Sequence, residues 1–359
     1  MKWVSGVSLH GSDPEPLCPG HERHPLHQTA ACQFPLYRVS DRGSAAVQYV
    51  AKGQCTEAVM SLTTKCRRDC LERDVLDDNI GFFNLERFAM HEFRLDDYLA
   101  RIGFRGSVEP NFATLAALHC QHVNAIPFEG LDPLVGLPVK LDLGALQSKL
   151  VRSRRGGYCF EQNILFKAAL ETIGFKVTGL TARVLWMSPP NSPLGPKTHM
   201  LLKVDLPDGP RLADVGFGVC VMDTPLTFQT DVEQRTAMGT YRLSEVDGLF
   251  CLSAIQPAGW RGMYAFNLEP QIQSDYEIGS WFAATHPAAP FSSTLIMERV
   301  SDDKRYKLVN RQFSIEARDG QRLDERTLGT VAELQKAFEE TFNVVPPVPV
   351  EQVFSRLPP

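Results

Sequence analysis

No run of eighteen or more apolar residues occurs in this chain, so a conventional transmembrane helix is not expected. Basic residues are in the minority: 37 Lys and Arg stand against 42 Asp and Glu, a formal net charge of -5. Bulk charge therefore predicts no nucleic-acid partner, and nothing points to a membrane partner. The nine cysteines are odd in number. Cys18, Cys32, Cys55, Cys66 and Cys70 lie near the start, and Cys120, Cys159, Cys220 and Cys251 are scattered. That is not a disulfide framework, and reduced thiols in a cytoplasmic protein are the simpler reading. The opening segment MKWVSGVSLHGSDPEP has one Lys and a short apolar run broken by polar residues and Pro, so it is not read as a signal peptide. Cys18, His21, His24 and His27 lack a Cys-pair plus His-pair spacing, so no metal is expected there or elsewhere. There is no internal repeat.

What is present is ordinary globular composition, 43% apolar and 22% charged over 359 residues, enough for a sizeable core without staples. Residues 1–89 are rich in His, Cys, Pro and Gly with poor periodicity, and read as an extension of unknown role, expected to be poorly ordered. Helical patterning begins at Met90. HEFRLDDYLARIGF, NFATLAALHCQHVNAIPF, DLGALQSKLV and the stretch from Cys159 to Phe175 predict four helices, with stops at Gly103, Pro127 and Gly174 and an N-cap at Asp142. Strand texture follows in KVTGLTARVLWM, THMLLKVDL and RLADVGF, then in a hairpin around Asp247–Gly248. SDYEIGSWFAATH predicts a helix, STLIMERV and KRYKLVNRQFSIEA two strands, and TVAELQKAFEETF a last helix. Helices, then antiparallel strands, then a mixed end predict an α+β fold. The expected boundaries are 90–180, 181–285 and 286–359.

Candidate chemistry centres on Arg154–Arg155–Gly156–Gly157–Tyr158–Cys159–Phe160–Glu161. The glycines predict a tight turn into a helix whose first turn holds Cys159, where free N–H groups favour a thiolate. Alone, the segment fits a small buried Cys equally well. His199 opens an apolar strand, and Asp214 sits among apolar neighbours, where a carboxylate is costly unless paired. One turn at Asp208–Gly209 separates their strands, so a hairpin register can bring them together. Asp214 would then hold the imidazole while His199 draws the thiol proton, and Cys, then His, then Asp or Asn is the chain order of papain-like sites, as in the cysteine proteases.

RGGYCFEQN, THMLLKV and LADVGFG resemble the three catalytic motifs of the arylamine N-acetyltransferase family. The likeness extends to AIPFEGLDPL, to WRGMYAFNLEPQIQSDYEIGSWFAATHPAAPF and to STLIMERV, over about residues 90–345. The resemblance implies a helical bundle, a β-barrel and an α/β lid. It implies transfer of an acetyl group from acetyl-CoA to an arylamine, arylhydrazine or N-hydroxyarylamine by way of a cysteine thioester. Cys159 would be the nucleophile, His199 its base, and Asp214 the residue orienting His199. It further implies CoA contacts at Thr198, Gly216, Phe217 and Gly218, and an acceptor pocket lined by Phe128, Tyr158 and Phe217. Arg155 and Glu129 match family positions, where an ion pair is as good a reading as a direct role. Departures from the family pattern are Gly130 in place of Asn in its PFENL motif, Val219 in place of a Gly in the donor loop, and residues 1–89. Met90 stands where such proteins usually begin, so the leader is either a true extension or a product of an early start codon. Rival readings are an amide synthase or malonyl-CoA-using transferase on the same scaffold, a cysteine hydrolase, and a non-enzymatic binding protein. A homo-oligomer is left open.

Overall fold

The computed structural model describes residues 93–359 apart from 187, 190, 191, 302, 303, 318 and 319. The readings made on the leader, including its His/Cys cluster, lie outside the described residues. Helix α1 (Leu95–Ile102) buries Tyr98 and Ile102 and stops where Gly103 takes a left-handed φ of 76°. Helix α2 (Phe112–Ala125) starts at Asn111, whose side chain accepts the Thr114 N–H at 2.9 Å, and ends before Pro127. A two-residue strand, β1 (Phe128–Glu129), and a short helix, α3 (Leu131–Val135), follow. Asp142 caps α4 (Leu143–Leu146), accepting the Ala145 N–H at 2.8 Å. The expected α-helix there widens into a π turn over Gln147–Arg152. Helix α5 (Cys159–Ile173) is buried along most of its length and ends at Gly174, with φ 107°.

Eight antiparallel strands come next: β2 (Lys176–Val184), β3 (Lys197–Asp205), β4 (Arg211–Ala213), β5 (Leu226–Thr227), β6 (Glu233–Thr236), β7 (Gly239–Val246), β8 (Leu249–Gln256) and β9 (Gly259–Phe266). Their order is β5-β4-β3-β2-β9-β8-β7-β6, and the sheet curls into a nearly closed barrel. The two edge strands are joined by a side chain rather than a ladder. The Gln234 amide of β6 accepts the Thr227 N–H at 2.7 Å and donates to the Thr227 carbonyl at 2.9 Å, so both edge groups are satisfied. The β7–β8 hairpin turns at Asp247 and Gly248, both left-handed, as a two-residue turn in a twisted ribbon requires.

After helix α6 (Gln273–Thr285) a second antiparallel sheet holds β10 (Ile296–Ser301), β11 (Lys304–Val309), β12 (Gln312–Ala317) and β13 (Arg322–Thr327). The chain ends in α7 (Val331–Lys336), prolonged by a π turn over Ala337–Phe342, and α8 (Val350–Arg356). The continuous strand expected over KRYKLVNRQFSIEA is a hairpin, turned by Asn310 at φ 54°. Strand β1 completes this sheet, with Phe128 opposite Glu298 and Glu129 opposite Met297, so the helical N-terminal part supplies its edge.

Strand β3 separates two of the cores by its pleat. Met200, Leu202 and Val204 face a cluster built on α2 and α5, while Leu201 joins the interior of the barrel. Phe160, Phe166 and Leu170 are completely buried against the outer face of β3. Each such side chain contributes about 1.5–3 kcal/mol of burial.

Candidate active site

Cys159 is the first residue of α5. The approach to it differs from the flexible glycine turn predicted: the left-handed residue is Arg154, with φ 53°, and neither Gly156 nor Gly157 has a positive φ. The two glycines are there for space. A Cβ on Gly156 would lie 2.2 Å from the Pro127 carbonyl oxygen, and one on Gly157 would lie 2.8 Å from Glu161 Oε2. That Glu161 oxygen accepts the Tyr158 N–H at 3.1 Å, fixing the backbone directly before the cysteine.

Buried charges hold the same segment. Arg155 donates to Glu129 at 2.8 Å and to Asp132 at 2.9 Å. Lys149 pairs with Asp132 at 2.6 Å and with Glu161 at 2.8 Å. Arg155 and Glu129 thus form an ion pair beneath the loop, one of the two readings open for them. Burial alone pushes the Lys149 ammonium down, but the surrounding Glu161, Glu129 and Asp132 carboxylates outweigh it and hold it charged.

His199 and Asp214 arrive from neighbouring strands. Leu202 pairs with Ala213, so the next residue, Asp214, falls beside the His199 end of β3. His199 Nε2 and Asp214 Oδ2 are 2.7 Å apart, and the Cys159 thiol donates to the Thr198 carbonyl at 3.5 Å beside the imidazole. Burial pushes the imidazole down. The charge and hydrogen bond of Asp214, with a smaller contribution from Cys159, overcome this and raise it to about 10. Burial likewise opposes the Asp214 carboxylate, yet the charge of His199 and N–H donors from Asn163 and Gly216 hold it below the usual carboxylate range. The imidazole is framed by Tyr264, tilted with ring centroids 4.7 Å apart, and by the edge of Phe217 at 5.2 Å.

Cys159 and His199 lie at the wall of a cavity of about 470 Å³. Thr198, Gly216, Phe217, Gly218 and Phe128, all expected at the site, line it with Val219. Tyr158, expected in the acceptor pocket, is not on its wall. Its ring is fully buried, edge-on to Phe291, and its hydroxyl bonds Ser280. Gly216 and Gly218 also have a packing role: a Cβ on Gly216 would lie 2.7 Å from Cys159 Cα, and one on Gly218 2.1 Å from the Phe128 ring. Sequence reasoning missed Trp186, Phe282 and Phe291 on the cavity wall, and Asn163, His119 and Tyr264 behind the pair. Only Asn163 left a signal, its spacing of four from Cys159 on one helix face. Among the described residues no group of three or more His, Cys, Asp or Glu is placed to hold a metal ion.

A buried Cys–His–Asp cluster facing a ligand-sized apolar cavity suits acyl transfer through a thioester. A sequence profile of a family described as N-acetyltransferase matches residues 111–348. The arylamine N-acetyltransferase of Mycolicibacterium smegmatis is 42% identical over 224 residues, covering 62% of this chain and 82% of that protein. The chain belongs to the arylamine N-acetyltransferase family. The solved arylamine N-acetyltransferase of Mycobacterium marinum superposes with a TM-score of 0.70 at 37% identity, over 73% of this chain and 98% of the other. The same enzyme in complex with CoA gives 0.70 at 36% identity, over the same shares. The family match spans Cys159, His199 and Asp214, with every strand of both sheets. Among the described residues no helix is long and apolar enough to cross a membrane.

Proposed function

We propose that this chain transfers an acetyl group from acetyl-CoA to an aromatic amine, hydrazine or N-hydroxyarylamine through a thioester on Cys159, in the cytoplasm. The observation that carries this reading is Cys159 at the start of a helix, on the wall of the cavity and beside the His199–Asp214 pair. The names of the relatives and the CoA complex of one of them support the donor and the acceptor class.

His199, kept charged by Asp214, carries the proton drawn from the thiol, and the Cys159 sulfur attacks the thioester carbonyl. The carbon–sulfur bond to CoA breaks, and the departing thiolate recovers the proton from His199. Thioester exchanges for thioester, so this half-reaction is nearly isoenergetic. The amine then attacks acetyl-Cys159, loses a proton to His199 and leaves as an amide, while the cysteine is restored. N–H groups at the first turn of α5 are the donors nearest the developing oxyanion. The cavity takes the acyl-thioester end of the donor and then the aromatic ring of the acceptor, so the two bind in turn and ping-pong kinetics follow. Val219 projects where the family motif has Gly, so donor choice is read on that wall. Incubation with acetyl-CoA, with and without an aromatic amine, while following free CoA thiol, tests the reading. A stoichiometric burst without amine and sustained release with it are expected; release that ignores the amine contradicts it.

A further inference from the structure

Asn163 lies one helical turn beyond Cys159 on α5 and is completely buried. Its amide reaches two other segments, β3 and the stretch after β4. Nδ2 donates to the Met200 carbonyl at 2.8 Å, next to His199 on β3, and to Asp214 Oδ1 at 2.9 Å. Oδ1 accepts the Val215 N–H at 3.2 Å. These three bonds fix the amide's orientation, since reversing it would set oxygen against two acceptors. Asp214 Oδ1 also accepts the Gly216 N–H at 2.9 Å, so one carboxylate oxygen is held by two donors and the other is left to His199.

We infer that Asn163 is a positioning residue for the transfer reaction: one amide sets both the rotation of the Asp214 carboxylate and the distance between the helix bearing Cys159 and the strand bearing His199. The inference rests on the function proposed above. A donor must stand at Nδ2. An apolar side chain leaves Asp214 Oδ1 and the Met200 carbonyl each short of a buried partner, and frees the carboxylate to turn. A carboxylate there adds like charge against Asp214.

The titratable groups facing the cluster are Cys159 on α5, His199 on β3, Asp214 after β4, Tyr264 on β9 and His119 on α2, with Asp223 beside His119. His119 Nε2 accepts the Asp214 N–H at 3.2 Å. An isosteric Asn163→Asp side chain behaves in two ways. Protonated, its O–H donates to Asp214 Oδ1 as the amide does; ionised, it repels.

The test is the burst of CoA release from acetyl-CoA alone, in wild type, Asn163→Ala and Asn163→Asp, from pH 6 to pH 8 and corrected for folded fraction by circular dichroism. Asn163→Ala is expected to slow acylation on the order of 10²-fold at every pH, since misplacement by about 1 Å costs that much. Asn163→Asp is expected to be as slow at pH 8 and to recover toward wild type at pH 6. A merely structural Asn163 lowers the melting temperature but leaves acylation by the folded fraction, and its pH profile, unchanged; that result overturns the inference. Where Asn163→Ala does not fold, an Asn163→Asp profile parallel to wild type overturns it equally. Absence of a burst in wild type strikes the proposed function instead.

Discussion

His199 Nε2 and Asp214 Oδ2 lie 2.7 Å apart with only 2% and 0% of their side chains exposed. Bulk solvent hardly reaches the pair, so the carboxylate governs the charge of the imidazole.

Asp214→Asn removes the charge that raises His199. Burial is then opposed only by the smaller contribution of Cys159, and the imidazole falls from about 10. Ring-nitrogen NMR should show imidazolium through pH 8 in wild type and a neutral ring at pH 7.5 in the variant. Acylation should drop on the order of 10³–10⁴-fold. An imidazolium that persists in the folded variant would mean that Asp214 is not its source.

Stability should fall on mild acidification. His119 and His122 are buried neutral, pushed down by burial to about 4 and about 3. The unfolded chain binds both protons near pH 6.5 and the folded chain does not, so stability is lost as pH drops from about 6.5 to about 4 for His119 and on to about 3 for His122. His199, raised to about 10, acts in the opposite sense: its contribution is complete below about 6.5 and lost as pH rises toward 10. Urea midpoints at pH 4.5, 6.5 and 9.5 check both limbs. His122→Gln, which can still meet Gln162, should soften the acid limb; an unchanged acid limb would show that the histidine does not cause it.

Gly218→Ala puts a methyl group 2.1 Å from the Phe128 ring, so the ring or the loop must shift. A cost of about 1–3 kcal/mol is expected, with a raised KM for the amine because Phe128 lines the cavity. Gly195→Ala, where nothing lies within 4 Å, serves as the control. Equal melting temperatures for the two variants would contradict the packing argument.

Arg155→Ala strands Glu129 and loosens Asp132 beneath the cysteine loop. Breaking a buried pair costs about 3–5 kcal/mol, and Lys cannot reproduce the forked contact. Urea unfolding of Arg155→Ala and Arg155→Lys should show large losses for both; a loss under about 1 kcal/mol would mean the network is not coupled to folding.

How much of this was legible in the sequence follows from how locally each feature is encoded. Asp142, Gly103 and Gly174 announce helix ends because caps act within one turn. Cys159, His199 and Asp214 stand out as costly residue types in apolar settings. Strand β1 is two residues long and has no period to read; its partner β10 lies far along the chain. Gly156 and Gly157 looked like turn formers because sequence reports the missing Cβ and not what crowds it. Tyr158 looked like a pocket residue, but its ring faces Phe291 and its hydroxyl Ser280, contacts only the tertiary fold supplies.

The central claim is that Cys159 carries the acyl group. Wild-type protein incubated with acetyl-CoA and no amine, then digested under mild acid and mapped by mass spectrometry, should show one acetyl mass on the peptide containing Cys159, removed by hydroxylamine or by an aromatic amine. The folded Cys159→Ala protein should show no label and no transfer. An acetyl group on another residue, or turnover by the folded Cys159→Ala protein, would contradict the account.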